Sequence, residues 1–213
     1  METLYVFAAM LSTFVMCFGG DIRFPQVVGG VVNLFAIWAY HRKSRRSLAS
    51  ANAMATTDTL TNLPNRRGLS LQLAHDRGHA QRTDEPLSVL YLDLNNFKLV
   101  NDRLGHKAGD SVLTEIAARL NRALRVSDTA ARVGGDEFVV VLLGTIPDGV
   151  NRVVSKLRSD LRLEVGCGAD KILVSPAIGI AHWQNAETIE QLLHRADEEM
   201  YRDKKIVKAI RVS

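Results

Sequence analysis

Two adjacent glycines and two adjacent acids, Gly134-Gly135-Asp136-Glu137, stand directly ahead of an apolar run from Phe138 to Leu143. Glycines tolerate a tight turn and let a ligand lie against bare backbone. The apolar run reads as a buried strand, and Ala130 to Val133 as the strand before it. The segment is therefore expected to form a hairpin whose turn holds two carboxylates at the rim of a sheet. Adjacent acids in that position can hold a divalent metal and bring it to a phosphate.

A second acid has a similar setting. Leu87 to Leu94 is almost continuously apolar, the pattern of a strand covered on both faces, and Asp93 lies near its C-terminal end. If the two strands are neighbours, Asp93 and Asp136 converge. With the Leu94 carbonyl they make an all-oxygen site suited to Mg²⁺ or Mn²⁺. The stretch after Asp93 carries Lys98, Asn101, Asp102, His106, Lys107 and Asp110. Lys98 can neutralise phosphate, and Asn101 with Asp110 offers donors and acceptors for a purine edge, guanine being the match for a carboxylate. His106 follows Gly105 and is assigned no catalytic proton. These residues point to a metal-dependent nucleotidyl transferase or cyclase.

The remaining pattern predicts the frame. Asp58 to Arg67 is turn-rich and leads into a helix reaching about Gly78. Val112, Ile116, Leu120 and Leu124 form one helical stripe, with Asp110 as the expected N-cap. A helix is expected over residues 150–163, strand structure over 171–183, and a last helix carrying Ile189, Leu192, Leu193, Ala196 and Met200. The order predicts an α/β fold, an α+β sandwich with helices packed on a mixed, mainly antiparallel sheet.

The 213 residues suffice for one domain of about 150 to 160 residues and an appendage. Residues 1–40 supply the appendage. Leu4 to Gly20 and Phe24 to Tyr40 are uncharged runs of 17 residues each, the short end of a membrane span. Turn residues from Gly19 to Pro25 separate them, so a transmembrane helical hairpin is expected; a buried soluble helical pair is the competing arrangement. Trp38 and Tyr40 sit where an interfacial belt belongs. The cluster Arg42, Lys43, Arg45 and Arg46 equals the whole net charge of +4. The positive-inside rule then places residues 41 onward in the cytoplasm, beginning with a basic linker helix over residues 41–57. Met1-Glu2-Thr3 lacks the cation of a secretory signal. Because the basic excess is local, nucleic acid is not an expected partner. Cys17 and Cys167 offer neither metal spacing nor a disulfide framework.

From Asp58 to Lys208 the chain resembles the GGDEF family of diguanylate cyclases. The resemblance rests on DTLTNLPNRR at 58–67, DLNNFKLVNDRLGHKAGD at 93–110, RVSD at 125–128 and RVGGDEF at 132–138. It implies a cyclase-like palm with a central five-stranded sheet over residues 58–213. It also implies condensation of two GTP into cyclic di-GMP with release of pyrophosphate. One GTP per subunit implies a head-to-head homodimer, with two Mg²⁺ or Mn²⁺ ions at each half-site. Together with the hydrophobic runs, it places the protein at a bacterial inner membrane with its catalytic domain in the cytoplasm.

Carried over by position, Asp93, Asp136 and the Leu94 carbonyl are metal ligands, and Glu137 is a further acid of the metal and nucleotide site. Asp136 is also the candidate for activating the ribose 3′-hydroxyl. Asn101 and Asp110 match guanine-reading positions, and His106 falls in the nucleotide pocket. Lys98, the backbone of Asn96 and Phe97, the turn at Gly134 and Gly135, and Lys204 and Lys208 are matched to substrate contacts. Arg125 and Asp128, with five residues between Asp128 and Gly134, match the family's inhibitory product site. Two departures stand out. Asn95 replaces a frequent aspartate, and Val207-Lys208 replaces a glycine and arginine, so a bidentate phosphate fork is lost. A catalytically silent module that senses GTP or cyclic di-GMP is the second functional reading.

Overall fold

Leu87–Asn95 forms β1, and all nine of its residues except Tyr91 are buried. That is the expected consequence of its unbroken apolar run, because β1 is the middle strand. The computed structural model describes residues 37, 38, 56–168 and 170–210, with side chains as far as residue 206. Strands β2 (Thr129–Arg132), β3 (Glu137–Leu143), β4 (Leu163–Cys167) and β5 (Asp170–His182) complete a five-stranded sheet of order β2-β3-β1-β5-β4. Every pairing in it is antiparallel. The expectation of a mixed sheet is thus corrected: neighbouring strands run in opposite directions throughout.

Among the described residues five helices accompany the sheet: α1 (Arg66–Thr83), α2 (Phe97–Leu104), α3 (His106–Ala123), α4 (Pro147–Asp160) and α5 (Ile189–Ile210). Side chains alternate across a strand, so β1 and β3 feed two cores. Leu90, Leu92, Phe138 and Val140 pack with Ile116 and Leu120 of α3 and Val150 and Leu157 of α4. On the opposite face Val89, Val139 and Val141 pack with Leu69 and Leu73 of α1 and Leu192 and Ala196 of α5. Helix α5 lies directly on β5. A Cβ added at Gly179 would stand 2.1 Å from both the Ala196 carbonyl oxygen and the Met200 nitrogen.

Several boundaries differ from the sequence reading. Gly105, at φ 81°, ends α2 and begins α3, so the stripe helix starts at His106 and Asp110 lies inside it rather than capping it. Helix α4 stops at Asp160, and Leu163–Cys167 is an edge strand. Its alternating burial, with Leu163, Val165 and Cys167 turned to the core, is a period-two signal hidden at the end of a helical stripe. Helix α1 runs to Thr83, past Gly78. Strand β5 passes through Pro176 without a break, pairing that residue with Leu94.

The chain divides into units of residues 1–54 and 55–213, and all the elements above belong to the second. In the first unit Ile37 and Trp38 are helical and exposed. The expected hydrophobic hairpin and the basic linker otherwise lie outside the described residues, up to Ala55. Among the described residues no helix is long and apolar enough to cross a membrane.

Candidate active site

The register of the sheet brings the acids together. Asp93 of β1 pairs across from Glu137 of β3, and the Leu94 N–H donates to the Asp136 carbonyl at 3.3 Å. Asp93 is buried, at 7% exposure. Asp136 is half-buried at the hairpin turn, and its carboxyl is raised above the ordinary aspartate range, by burial first and by the negative charge of Asp93 second. The two carboxylates therefore repel each other in a partly desolvated place, a setting that suits a cation. The carboxylates of Asp93 and Asp136 offer oxygen ligands, so these residues fit a hard divalent ion.

A cavity of about 590 Å³ opens beside them, lined by Asp93, Asp136, Lys204 and the turn from Leu94 to Lys98. Leu94 has its side chain in the core, so its main chain is what meets the cavity. Asn96 adopts a left-handed conformation, φ 65°, and its side chain donates to the Leu173 carbonyl at 2.6 Å. It thus reverses the chain between β1 and α2 without capping the helix. The first amides of α2, at Phe97 and Lys98, lack intrahelical acceptors and lie beside a positive helix end. Lys98 is exposed at the same rim. A polyphosphate placed in this cavity would meet free N–H groups and two ammonium groups.

Glu137 pairs across from Asp93 but is not among the residues that line the cavity. Its carboxylate folds back over Gly134 and accepts from the Tyr91 hydroxyl at 3.3 Å. Burial, together with the charge of Glu137, pushes the Tyr91 phenol up to about 12, so the hydroxyl remains a donor at neutral pH. Among the described residues no three acidic, imidazole or thiolate side chains converge as a metal cage. Lys204 of α5 donates to Asp93 Oδ1 at 2.5 Å. Asn95, also on the cavity wall, is buried with its Nδ2 unpartnered.

The expected base-reading residues sit farther along. Asn101 of α2 packs over Gly109 of α3, where an added Cβ would lie 2.0 Å from Asn101 Oδ1. Asp110 is the next residue of α3 and is exposed. His106 is exposed at the start of α3. Arg125 to Asp128 make a tight turn. The Arg125 N–H donates to Asp128 Oδ2 at 3.0 Å, and Asp128 Oδ1 is buried without a partner. The Arg125 side chain is exposed. The side chain of Lys208 lies outside the described residues.

Sequence reasoning missed the brace on the hairpin. Arg132 donates through Nη1 to Asp58 at 3.0 Å and through Nη2 to the Gly135 carbonyl at 2.8 Å. Arg66 reaches the Val133 carbonyl at 3.2 Å. Burial works to raise the Asp58 carboxyl. Hydrogen bonds from the Thr61 hydroxyl and amide, with the Arg132 guanidinium, outweigh burial and hold it below the usual 3.8. The stabilisation is thus complete above that value and is lost as pH falls through the lower folded value. Asp58→Asn is expected to destabilise the protein by about 1 to 3 kcal/mol at neutral pH. Thermal melts of the two proteins should draw together below pH 3.8; a gap that persists in strong acid would remove the ionic explanation.

The sequence model described as diguanylate cyclase, GGDEF domain, matches residues 55–209. Among curated proteins, diguanylate cyclase TpbB of Pseudomonas aeruginosa is 41% identical over 160 residues, covering 72% of this chain and 36% of the relative. The matched part is thus about a third of that relative's length. A sensory box/GGDEF family protein from Caulobacter crescentus superimposes with a TM-score of 0.66 at 34% identity, covering 71% of this chain and 99% of that one. The GGDEF domain of DgcB from Caulobacter crescentus, solved in complex with c-di-GMP, also gives 0.66, at 28% identity over 71% of this chain and 91% of that one.

Proposed function

This chain belongs to the family of GGDEF diguanylate cyclase domains, and we propose that it condenses two GTP into cyclic di-GMP. The observation that carries the reading is one cavity joining two repelling carboxylates, Asp93 and Asp136, to the open amides of α2 and to Lys98 and Lys204. In each half-reaction a ribose 3′-oxygen forms a bond to the α-phosphorus of the second nucleotide. The bond from that phosphorus to the bridging oxygen breaks, and pyrophosphate leaves. The raised carboxyl of Asp136 suits it to receive the 3′-hydroxyl proton.

Asp93, Asp136 and the Leu94 carbonyl are the proposed ligands of Mg²⁺ or Mn²⁺. Bound there, the divalent metal would lower the pKa of the attacking hydroxyl and neutralise charge on the phosphates. Asn96, Phe97 and Lys98 hold the phosphates, and Gly134 and Gly135 leave room for the nucleotide at the turn. Asn101 and Asp110 read guanine, with His106 near them; Lys204 and Lys208 complete the anion site. Glu137 shares the sheet face of Asp93 and supports the site from its contact with Tyr91.

One chain supplies one half of this arrangement, so the active form is proposed to be a homodimer with two cavities facing each other. Residues 1–40 are proposed to anchor it to a bacterial inner membrane, with residues 58–213 on the cytoplasmic side. Magnesium-dependent turnover of GTP by the full-length protein, followed by nucleotide chromatography, tests the reading; absence of cyclic di-GMP from a dimeric preparation would overturn it.

Arg125 and Asp128 are the proposed site of product feedback. Asp128, held under its turn with one oxygen unpartnered, supports this assignment. Arg125→Ala should raise the concentration of added cyclic di-GMP needed for half-inhibition by about tenfold or more. Initial rates measured over a product series would show it, and an unchanged inhibition curve would count against the site.

A further inference from the structure

We propose that Lys204 is the resident counter-ion of Asp93, exchanged for a divalent cation when the nucleotide arrives. The inference rests on the metal site proposed above. Three observations carry it. The ammonium of Lys204 contacts Asp93 Oδ1 at 2.5 Å, and Asp93 is the buried member of the carboxylate pair. Lys204 lines the same cavity as Asp136 and the first turn of α2, so its flexible stem reaches both the acids and the place for phosphate. Asn95, on the same wall, is neutral and adds no second acid to hold the ammonium.

A divalent cation and an ammonium held on the same carboxylate repel each other, so binding of the metal weakens the ion pair. A metal held by Asp93 and Asp136 therefore pushes Lys204 into a cavity whose remaining carboxylate, Asp102, carries a single charge, and no multiply charged anion is there to receive it. A nucleotide supplies that anion, because its phosphates accept the displaced ammonium. Lys204 thus makes metal and triphosphate bind cooperatively, and it weakens the binding of metal by itself. The ion pair is partly exposed, 26% at Lys204 and 11% at Asp93, so the effect is moderate rather than absolute.

The test is Mn²⁺ binding to the full-length protein, read by electron paramagnetic resonance of free Mn²⁺. It is run first with the metal alone and then with 3′-deoxy-GTP, which lacks the attacking hydroxyl. Lys204→Met should bind Mn²⁺ alone about fivefold more tightly than the wild type, and its enhancement by nucleotide should shrink by about the same factor. Lys98→Met removes an equal charge from the same cavity but leaves the Asp93 ion pair in place. It should change binding of Mn²⁺ alone by less than about twofold. Lys204→Gln should repeat the Lys204→Met result, which guards against a packing effect of methionine. Equal Mn²⁺ affinity in wild type and both Lys204 variants would overturn the exchange and leave the cyclase reading standing. Failure of every protein to bind Mn²⁺, with or without nucleotide, would instead overturn the metal site beneath both.

Discussion

Asp136→Asn should reduce cyclic di-GMP formation by about a hundred- to a thousandfold while leaving the metal-free protein at least as stable as the wild type. The two halves of this result have separate causes. Asp136 is raised by its burial and by the charge of Asp93, so its ionised form opposes the fold when no cation is present. The sign comes from a folded value above the unfolded one. Stability from this group is full below the ordinary value of 3.8 and is lost as pH rises through the folded value. Asparagine removes that loss, so melts of the variant in chelator should show a flatter dependence on pH above 3.8. Turnover is expected to collapse because the variant lacks both a proposed metal ligand and the proposed proton acceptor. A variant that kept its activity would refute the role of Asp136, and one that melted early in chelator would refute the repulsion.

Gly179→Ala should give the largest loss of stability of any substitution considered, about 3 kcal/mol or more. The new methyl would stand 2.1 Å from the Ala196 carbonyl oxygen and 2.1 Å from the Met200 nitrogen. Both atoms are helix backbone, so no side-chain rotation relieves the overlap. Helix α5 must move away from β5, which uncovers Ala181, Leu192 and Ala196. The same displacement carries Lys204 away from Asp93 and Asp203 away from the Ile178 amide, a bond of 2.9 Å. Denaturant titration of wild type and variant measures the loss directly. A change below about 1 kcal/mol would mean that α5 tolerates lifting, and that close backbone contact does not anchor it to β5.

The central features are legible in the residues because they are periodic or local. The unbroken run from Leu87 to Leu94 demands a strand covered on both faces, and β1 is the middle of the sheet. The Gly-Gly turn between two apolar segments demands a hairpin, and β2 and β3 supply it. The features hidden from a sequence reading depend on groups distant along the chain. Nothing near Lys204 marks it as the partner of Asp93, which lies 111 residues away. Arg132 and Asp58 are separated by 74 residues, although each stands in a recognisable motif. The short helix α2 is masked by its length of eight residues, too brief for a stripe to show. Adjacency to Asp136 suggests a place for Glu137 beside the metal; strand geometry gives the neighbours different surroundings, and Tyr91 receives the Glu137 side chain.

The packing of α5 on β5 has a consequence for the order in which a ribosome delivers this domain. Asp93 emerges with the central strand, Asp136 comes 43 positions later by the numbering, and the cation that meets Asp93 arrives after both, on α5. Until then the backbone at Gly179 is uncovered, and Asp93 lacks its ammonium partner. The nascent sheet is therefore at its most vulnerable to wrong pairing before α5 forms, with the backbone at Gly179 uncovered and the Asp93 carboxylate uncompensated. Completion of α5 covers the one and neutralises the other in a single docking event.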